Sequence, residues 1–161
     1  MDRIDRAILE RLQADSAQSM AEVAGAAGLS LSACHRRVKL MEASGIIDGY
    51  GARLNPSALG LTIEVFVEIS LNSQAQEALQ AFEQAVMNDD EILECKLTSG
   101  TSDYILRVAA ASIADYDRLH RHILARLPGV ASMRSIFTLR SIKPWRGLPL
   151  NRVHAPDERS S

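Results

Sequence analysis

The sharpest constraint on this chain is a change of period at residue 61. From Leu61 to Leu71 apolar and polar positions alternate. Leu61, Ile63, Val65, Val67, Ile69 and Leu71 fall on one side, and Thr62, Glu64, Phe66, Glu68 and Ser70 on the other. Strict alternation makes a strand with one buried face. The segments ahead of it are spaced as helices, and Asn55-Pro56-Ser57-Ala58-Leu59-Gly60, bracketed by Pro and Gly, separates the two regimes. A chain of 161 residues, 47% hydrophobic and 24% charged, holds one domain or two small ones. The break predicts two: residues 1–54 and 61–143, with a linker at 55–60 and a C-terminal tail at 144–161.

In the first part, Ile4, Ala7, Ile8 and Leu12, flanked by Leu9, predict a helix over 2–14, with Asp2 and Asp5 near its start where the helix dipole favours them. A second helix covers roughly 20–27, with Val23, Ala24 and Ala27 inward. Gly28 supplies the permissive backbone of a turn, and Ser30 is placed to cap a third helix. That third helix puts Cys34, Val38 and Met41 on one buried stripe. Ser32, His35, Arg36 and Lys39 lie on its outer faces, with Arg37 nearer the flank. Two helices with small inner residues and hydrogen-bond donors on the outer side of the second suit a helix-turn-helix reading double-stranded DNA; an ordinary helical hairpin with a solvated basic face has the same pattern. Residues 46–54, with Asp48-Gly49 as a turn signal, read as a small hairpin or extended wing, where Arg53 can meet a DNA backbone, or as a lead into the next domain.

In the second part the order is strand (61–71), helix (74–87), strand (92–99), strand (104–111), helix (112–127), strand (130–142). This is the ferredoxin-like βαββαβ arrangement, an antiparallel sheet with both helices on one face. Leu93, Cys95 and Leu97 are expected on one side of the second strand, and Met133, Ser135, Phe137 and Leu139 in line on the fourth. The other sheet face carries Phe66, Ile105 and Ile136 among Glu64, Glu68, Lys96, Arg107 and Arg134. Three strands each contributing a large apolar residue predict dimerisation through that face. The tail, PWRGLPLNRVHAPDERSS, predicts a short docked start around Trp145 and Leu148, then loose chain.

Charge narrows the function classes. The net charge is −2, but residues 28–41 hold three basic residues and no acidic ones, while residues 56–143 hold eight basic and eleven acidic. Any nucleic-acid contact is therefore confined to a small patch. Cys34 and Cys95 lie on apolar stripes and read as reduced core thiols of a cytoplasmic protein. The charged N-terminus is neither signal peptide nor anchor, and no run approaches membrane-spanning length. His120 and His122, two apart on a helix, do not share a face. Glycine-rich phosphate loops, Cys/His nucleophile spacings and metal-ligand spacings are absent from the sequence. We therefore expect no catalytic residues, no metal and no cofactor.

The residues match a family in order. DRIDRAILERLQAD and AEVAGAAGLSLSACHRRVKLMEASGIIDGYGARLNPSALG resemble the winged helix-turn-helix of the Lrp/AsnC (leucine-responsive, feast/famine) transcription regulators. EILECKLTSGTSDYILRV, DYDRL, LPGV and FTLRSIK resemble their amino-acid-binding domain. The match runs over about residues 2–143 and includes an SGxxDY turn in the corresponding strand pair. The fold class implied is α+β, a winged helix-turn-helix followed by a ferredoxin-like βαββαβ domain. The resemblance implies a DNA-binding regulator whose sheet domains pair into homodimers, often assembled further into octamers, with an amino acid bound near Gly100–Tyr104. Two positions depart from the pattern: Thr101, where the family often has an acidic residue, and Leu31, where it often has proline.

For DNA, the candidates are Ser30, Ser32, His35, Arg36, Arg37 and Lys39. The basic side chains neutralise phosphates, Arg36 has the fork for guanine, and the serines sit at a helix start. Arg37, next to the Val38 stripe, is equally placed for a structural role. For the effector, the candidates are Gly100, Thr101, Ser102, Asp103 and Tyr104. Asp103 offers an anion for an ammonium, and the turn amides offer donors for a carboxylate; alternatively Asp103 bonds its own backbone in a plain hairpin turn. Two other readings remain: an amino-acid-sensing module that binds no DNA, and a small ferredoxin-like enzyme.

Overall fold

The computed structural model describes residues 1–152, which fold as two compact bodies. One body, here called the head, is Met1–Arg53 together with the segment that begins at Lys143; the other is Leu54–Ile142.

The head is built on three helices, α1 (Arg3–Ala14), α2 (Met20–Ala26) and α3 (Leu31–Ala43). Each starts where a side chain satisfies orphan amide groups. Asp2 and Asp5 form a reciprocal capping box at 2.8 and 2.9 Å, Ser19 and Glu22 form another, and the Ser30 hydroxyl accepts from the Ala33 amide. Gly28 turns the chain between α2 and α3 in a left-handed conformation, with φ +67°. The core joins Ile8, Leu9 and Leu12 of α1, Val23 and Ala24 of α2, and Cys34, Val38 and Met41 of α3.

Residues 46–54 contain no strand, so the hairpin form of the predicted wing is absent. Gly49 does not adopt positive φ, which rules out the hairpin turn that Asp48-Gly49 suggested. The segment is held by side chains. Tyr50 Oη donates to Glu42 Oε1 at 2.9 Å, and Arg53 donates to the Ala14 carbonyl at 3.3 Å. That contact places Arg53 at the C-terminus of α1, where the helix dipole favours a cation.

The second body has strands β1 (Ile63–Leu71), β2 (Ile92–Leu97), β3 (Tyr104–Ala110) and β4 (Val130–Phe137), with helices α4 (Gln76–Met87) and α5 (Ile113–His122). The strand order is β2-β3-β1-β4, antiparallel throughout. Val65, Val67, Ile69 and Leu71 of β1 and Tyr104, Leu106, Val108 and Ala110 of β3 pack with Phe82 and Val86 of α4 and Tyr116 and Leu119 of α5.

Several elements depart from the sequence pattern: β1 begins at Ile63, α4 at Gln76, and β2 ends at Leu97. β2 carries an irregularity: Ile92 pairs with Val108 but Glu94 with Arg107. The shift turns Leu93 outward, 52% exposed, and Ile92 joins Cys95 against the core in its place. Leu97 also points to solvent. α5 stops at His122 and gives way to a tight turn at Leu124–Arg126, after which Leu127, ahead of Pro128, is extended at φ −61° and ψ 134°. β4 ends at Phe137, which pairs with Val65. Leu139 then falls opposite Ile63, the first residue of β1, and chain beyond it has no neighbour to pair with; Leu139 is 97% exposed. Among the described residues no helix is long and apolar enough to cross a membrane.

Phe82 is fully buried with its ring 4.6 Å from that of Tyr104. Phe82→Ala is expected to lower the stability of the second body by about 3–5 kcal/mol. Leu93→Ala, on the bulge, should change it by no more than about 0.5 kcal/mol. Chemical denaturation of the two variants checks both.

Candidate DNA-reading helix and effector turn

The buried stripe Cys34–Val38–Met41 fixes which side of α3 faces out. Ser32, His35, Arg36 and Lys39, spaced i, i+3, i+4 and i+7, are all exposed on that outer side. The Ser30 and Ser32 hydroxyls lie 3.3 Å apart at the helix start. Arg36 makes no ion pair among the described residues. Lys39 is exposed but bonded to Glu42 at 2.7 Å, and Lys39 and then Tyr50 hold the Glu42 carboxyl below the usual glutamate range.

Arg37 is differently engaged. Its Nη1 lies 2.7 Å from both Asp2 Oδ2 and Asp5 Oδ1, the two carboxylates of the α1 capping box. The guanidinium thus joins α3 to the start of α1, which is the structural alternative that its place beside Val38 left open. The Asp5 amide and then Arg37 hold the Asp2 carboxyl below its ordinary value.

The turn between β2 and β3 is anchored from two sides. Thr98 Oγ1 donates to the Ser102 carbonyl at 2.5 Å, and the Thr98 amide to the Asp103 carbonyl at 2.8 Å. The Asp103 amide donates to the Ile69 carbonyl. The Asp103 carboxylate accepts from the Leu71 amide at 2.7 Å and from Gln74 Nε2 at 2.9 Å. It therefore ties the turn to the end of β1 and the approach to α4, and does not fold back on its own backbone. Gly100, Thr101 and Ser102 donate no hydrogen bond within the described residues, and a Cβ on Gly100 would meet nothing within 4 Å.

Tyr104 does not share the openness of this turn. It is a buried core residue whose hydroxyl donates to Glu83 at 2.8 Å. Burial, and then the Glu83 hydrogen bond, push its pKa up to about 12.

On the sheet face away from the helices, Phe66 lies opposite Ile136, and Ile105 occupies the adjacent rung opposite Glu68. The charges around them are matched: Arg107 with Glu64 at 2.7 Å, Arg134 with Glu68 at 2.6 Å, and Lys96 with Glu94 at 2.6 Å.

Comparison with known proteins agrees with this two-part geometry. A winged helix-turn-helix DNA-binding model matches residues 1–48, and the Lrp/AsnC ligand binding domain matches residues 64–148. The chain belongs to the Lrp/AsnC family of transcription regulators. The leucine-responsive regulatory protein of Escherichia coli is 41% identical over 143 residues, covering 89% of this chain and 87% of that protein. A transcriptional regulator of Neisseria meningitidis, solved as a complex with L-Met, superposes with a TM-score of 0.89 at 31% identity, covering 94% and 97% of the two chains. An AsnC family regulator of Agrobacterium tumefaciens superposes with a TM-score of 0.88 at 37% identity, covering 94% and 98%.

In this Lrp/AsnC chain, several residues that shape the two sites carry no signal in sequence spacing. Gln74 and the Leu71 amide hold Asp103, and Glu83 receives Tyr104, only because the fold brings them together. The Arg37 partners had a partial signal, since Asp2 and Asp5 were legible as helix-start acids but not as ion-pair partners.

The Asp2 shift makes the head's stability depend on pH in the acid range. A carboxyl depressed below 3.8 in the folded state contributes stability above about pH 4, which is lost as pH falls through the depressed folded value. The head's unfolding transition, followed by amide exchange in α1 and α3, should be flat between about pH 7 and 5 and lose a small increment of stability below about pH 4. Arg37→Ala should lower the melting temperature at neutral pH and make the acid fall shallower.

Proposed function

We propose that this regulator reads DNA through the exposed side of α3, pairs through the Phe66–Ile105–Ile136 sheet face, and responds to an amino acid bound at the Gly100–Asp103 turn. The observation that carries the reading is the pattern on α3. Arg36, without an ion pair among the described residues, stands between Ser32, His35 and Lys39, while Arg37 is withdrawn into the clamp on α1. Arg36 has the fork for the O6 and N7 of guanine, and Lys39 neutralises phosphate. Ser30 and Ser32 mark a helix start, where free amides favour a phosphate oxygen.

For the effector, the undonated amides of Gly100, Thr101 and Ser102 form an anion nest suited to a carboxylate. Asp103 accepts two hydrogen bonds, and a carboxylate has room for about four, so capacity remains for an ammonium. Tyr104 serves as a wall beneath the turn and not as a ligand group. L-Methionine, present in the Neisseria complex, and L-leucine, named in the Escherichia protein, are the first effectors to test. Matched charges and three apolar side chains on the outer sheet face support a second copy of the chain as its cover. We assign the protein to the cytoplasm and give it no catalytic step.

Fluorescence anisotropy on a DNA site selected from random sequence tests the reading. Affinity should fall by orders of magnitude between about 50 and 200 mM salt. Arg36→Ala should cost about 1–3 kcal/mol at the cognate site with the melting temperature unchanged. L-Methionine or L-leucine should shift the binding curve. Salt-independent binding, or an Arg36→Ala variant of full affinity, would remove α3 from the DNA.

The sheet interface has its own test. Phe66→Glu places an unpaired charge at the centre of the face and should convert a sedimenting dimer to monomer. A dimer that survives the substitution excludes this face.

A further inference from the structure

The family models end the DNA-binding part at residue 48 and carry the ligand-binding part to residue 148. The structure divides the chain differently at its far end. The segment from Lys143 belongs to the compact body that contains α1–α3. A buried leucine and a gripped backbone bind it there. Leu150 is 8% exposed and joins the core of Ile8, Leu9, Leu12, Val23 and Cys34. The side-chain amide of Gln13, on α1, grips the Leu148 backbone at both groups, its Oε1 accepting from the amide at 2.6 Å and its Nε2 donating to the carbonyl at 3.1 Å. Gly147 has φ +107°, a backbone conformation that favours glycine, and it lies directly against the Gln13 carboxamide.

The local sequence suits the task. Pro149 disfavours a helical conformation at Leu148, whose amide and carbonyl one carboxamide spans. Pro144 and Pro149 reduce the freedom that docking removes. Trp145, at 73% exposure, is not the anchor that its size suggested, and the Leu148 side chain is also exposed. Leu148 and Leu150 form one wall of a groove of about 1150 Å³, whose other walls are the end of α1 and residues 46–53. The loose chain expected beyond this point falls largely on residues 153–161, outside the described residues.

We infer that residues 143–150 are a working part of the DNA-binding head: a strap that returns after the ligand domain, completes the head's core and braces α1, with Gln13, Gly147 and Leu150 as positioning residues for DNA reading. The ligand domain is then an insertion between two pieces of the head, connected to it covalently at both ends.

The native thiols report on this directly. Cys34 is fully buried in the head core, and Cys95 lies in the ligand domain. In the full-length chain, iodoacetamide labelling read peptide by peptide should modify Cys34 slowly. Leu150→Ala should accelerate Cys34 labelling about tenfold or more while Cys95 stays within about twofold, since opening is confined to the unit that has lost its contact. Gln13→Ala, which leaves a good helix former on α1, should accelerate Cys34 less but measurably. An unchanged Cys34 rate in Gln13→Ala and Leu150→Ala would overturn the strap. If Leu150→Ala loosens both thiols together, the whole chain has opened, and the Gln13→Ala rate decides.

On selected DNA, Leu150→Ala should bind several-fold more weakly with an unaltered salt slope, because no phosphate contact is removed. The DNA arm rests on the reading of α3 given above. The labelling arm does not, so failure of one is distinguishable from failure of the other.

Discussion

The burial of one stripe on α3 determines what this molecule presents to a partner. Cys34, Val38 and Met41 lie at i, i+4 and i+7, and all three are buried against α1 and α2. A helix has one rotational degree of freedom about its axis, and three buried points remove it. Ser32, His35, Arg36 and Lys39 are then outward by necessity. Arg37, on the flank, is close enough to α1 to close on Asp2 and Asp5. The same carboxylates cap α1, so one small group of charges both starts a helix and sets its crossing over the next. The basic patch available to solvent is therefore smaller than its sequence suggests, and a small patch repeated on an oligomer gains affinity by avidity.

The second body follows a different logic. Its sheet buries one face under two helices and leaves on the other a neutral mosaic of matched acids and bases around Phe66, Ile105 and Ile136. Its β2–β3 turn is irregular, yet Asp103, Thr98 and Gln74 hold it at both ends. The turn thus has fixed ends and central amides that donate no hydrogen bond among the described residues. Tyr104 and Phe82 stack directly behind it, which ties the turn's position to the packing of α4.

Much of this was legible in the sequence, and the residues show why. Helix starts were readable because caps are local: Asp2 and Ser30 each act within three residues. The strand-helix order was readable because burial imposes period on sequence. Features that depend on pairing across the fold were not. The shift at Ile92–Glu94 is a property of two strands together, so alternation alone turns Leu93 inward. Arg37 was legible as a structural candidate beside Val38, but its partners, like that of Arg53, stand more than thirty residues away in sequence. Leu150 is one leucine in a Pro-rich tail, without periodicity to mark it as core. Trp145 and Leu148 were expected to dock, but both side chains are exposed and Leu150 is the buried one.

Whether the outward side of α3 is the surface that meets DNA is tested most directly by photo-cross-linking. The full-length protein is bound to its selected DNA site with bromouracil in place of thymine, and the cross-linked peptides are identified. With α3 in the groove, those peptides contain residues 30–39 and are lost on competition with unlabelled site. Cross-links confined to the ligand domain or to α1, with residues 30–39 unmodified, would contradict that placement.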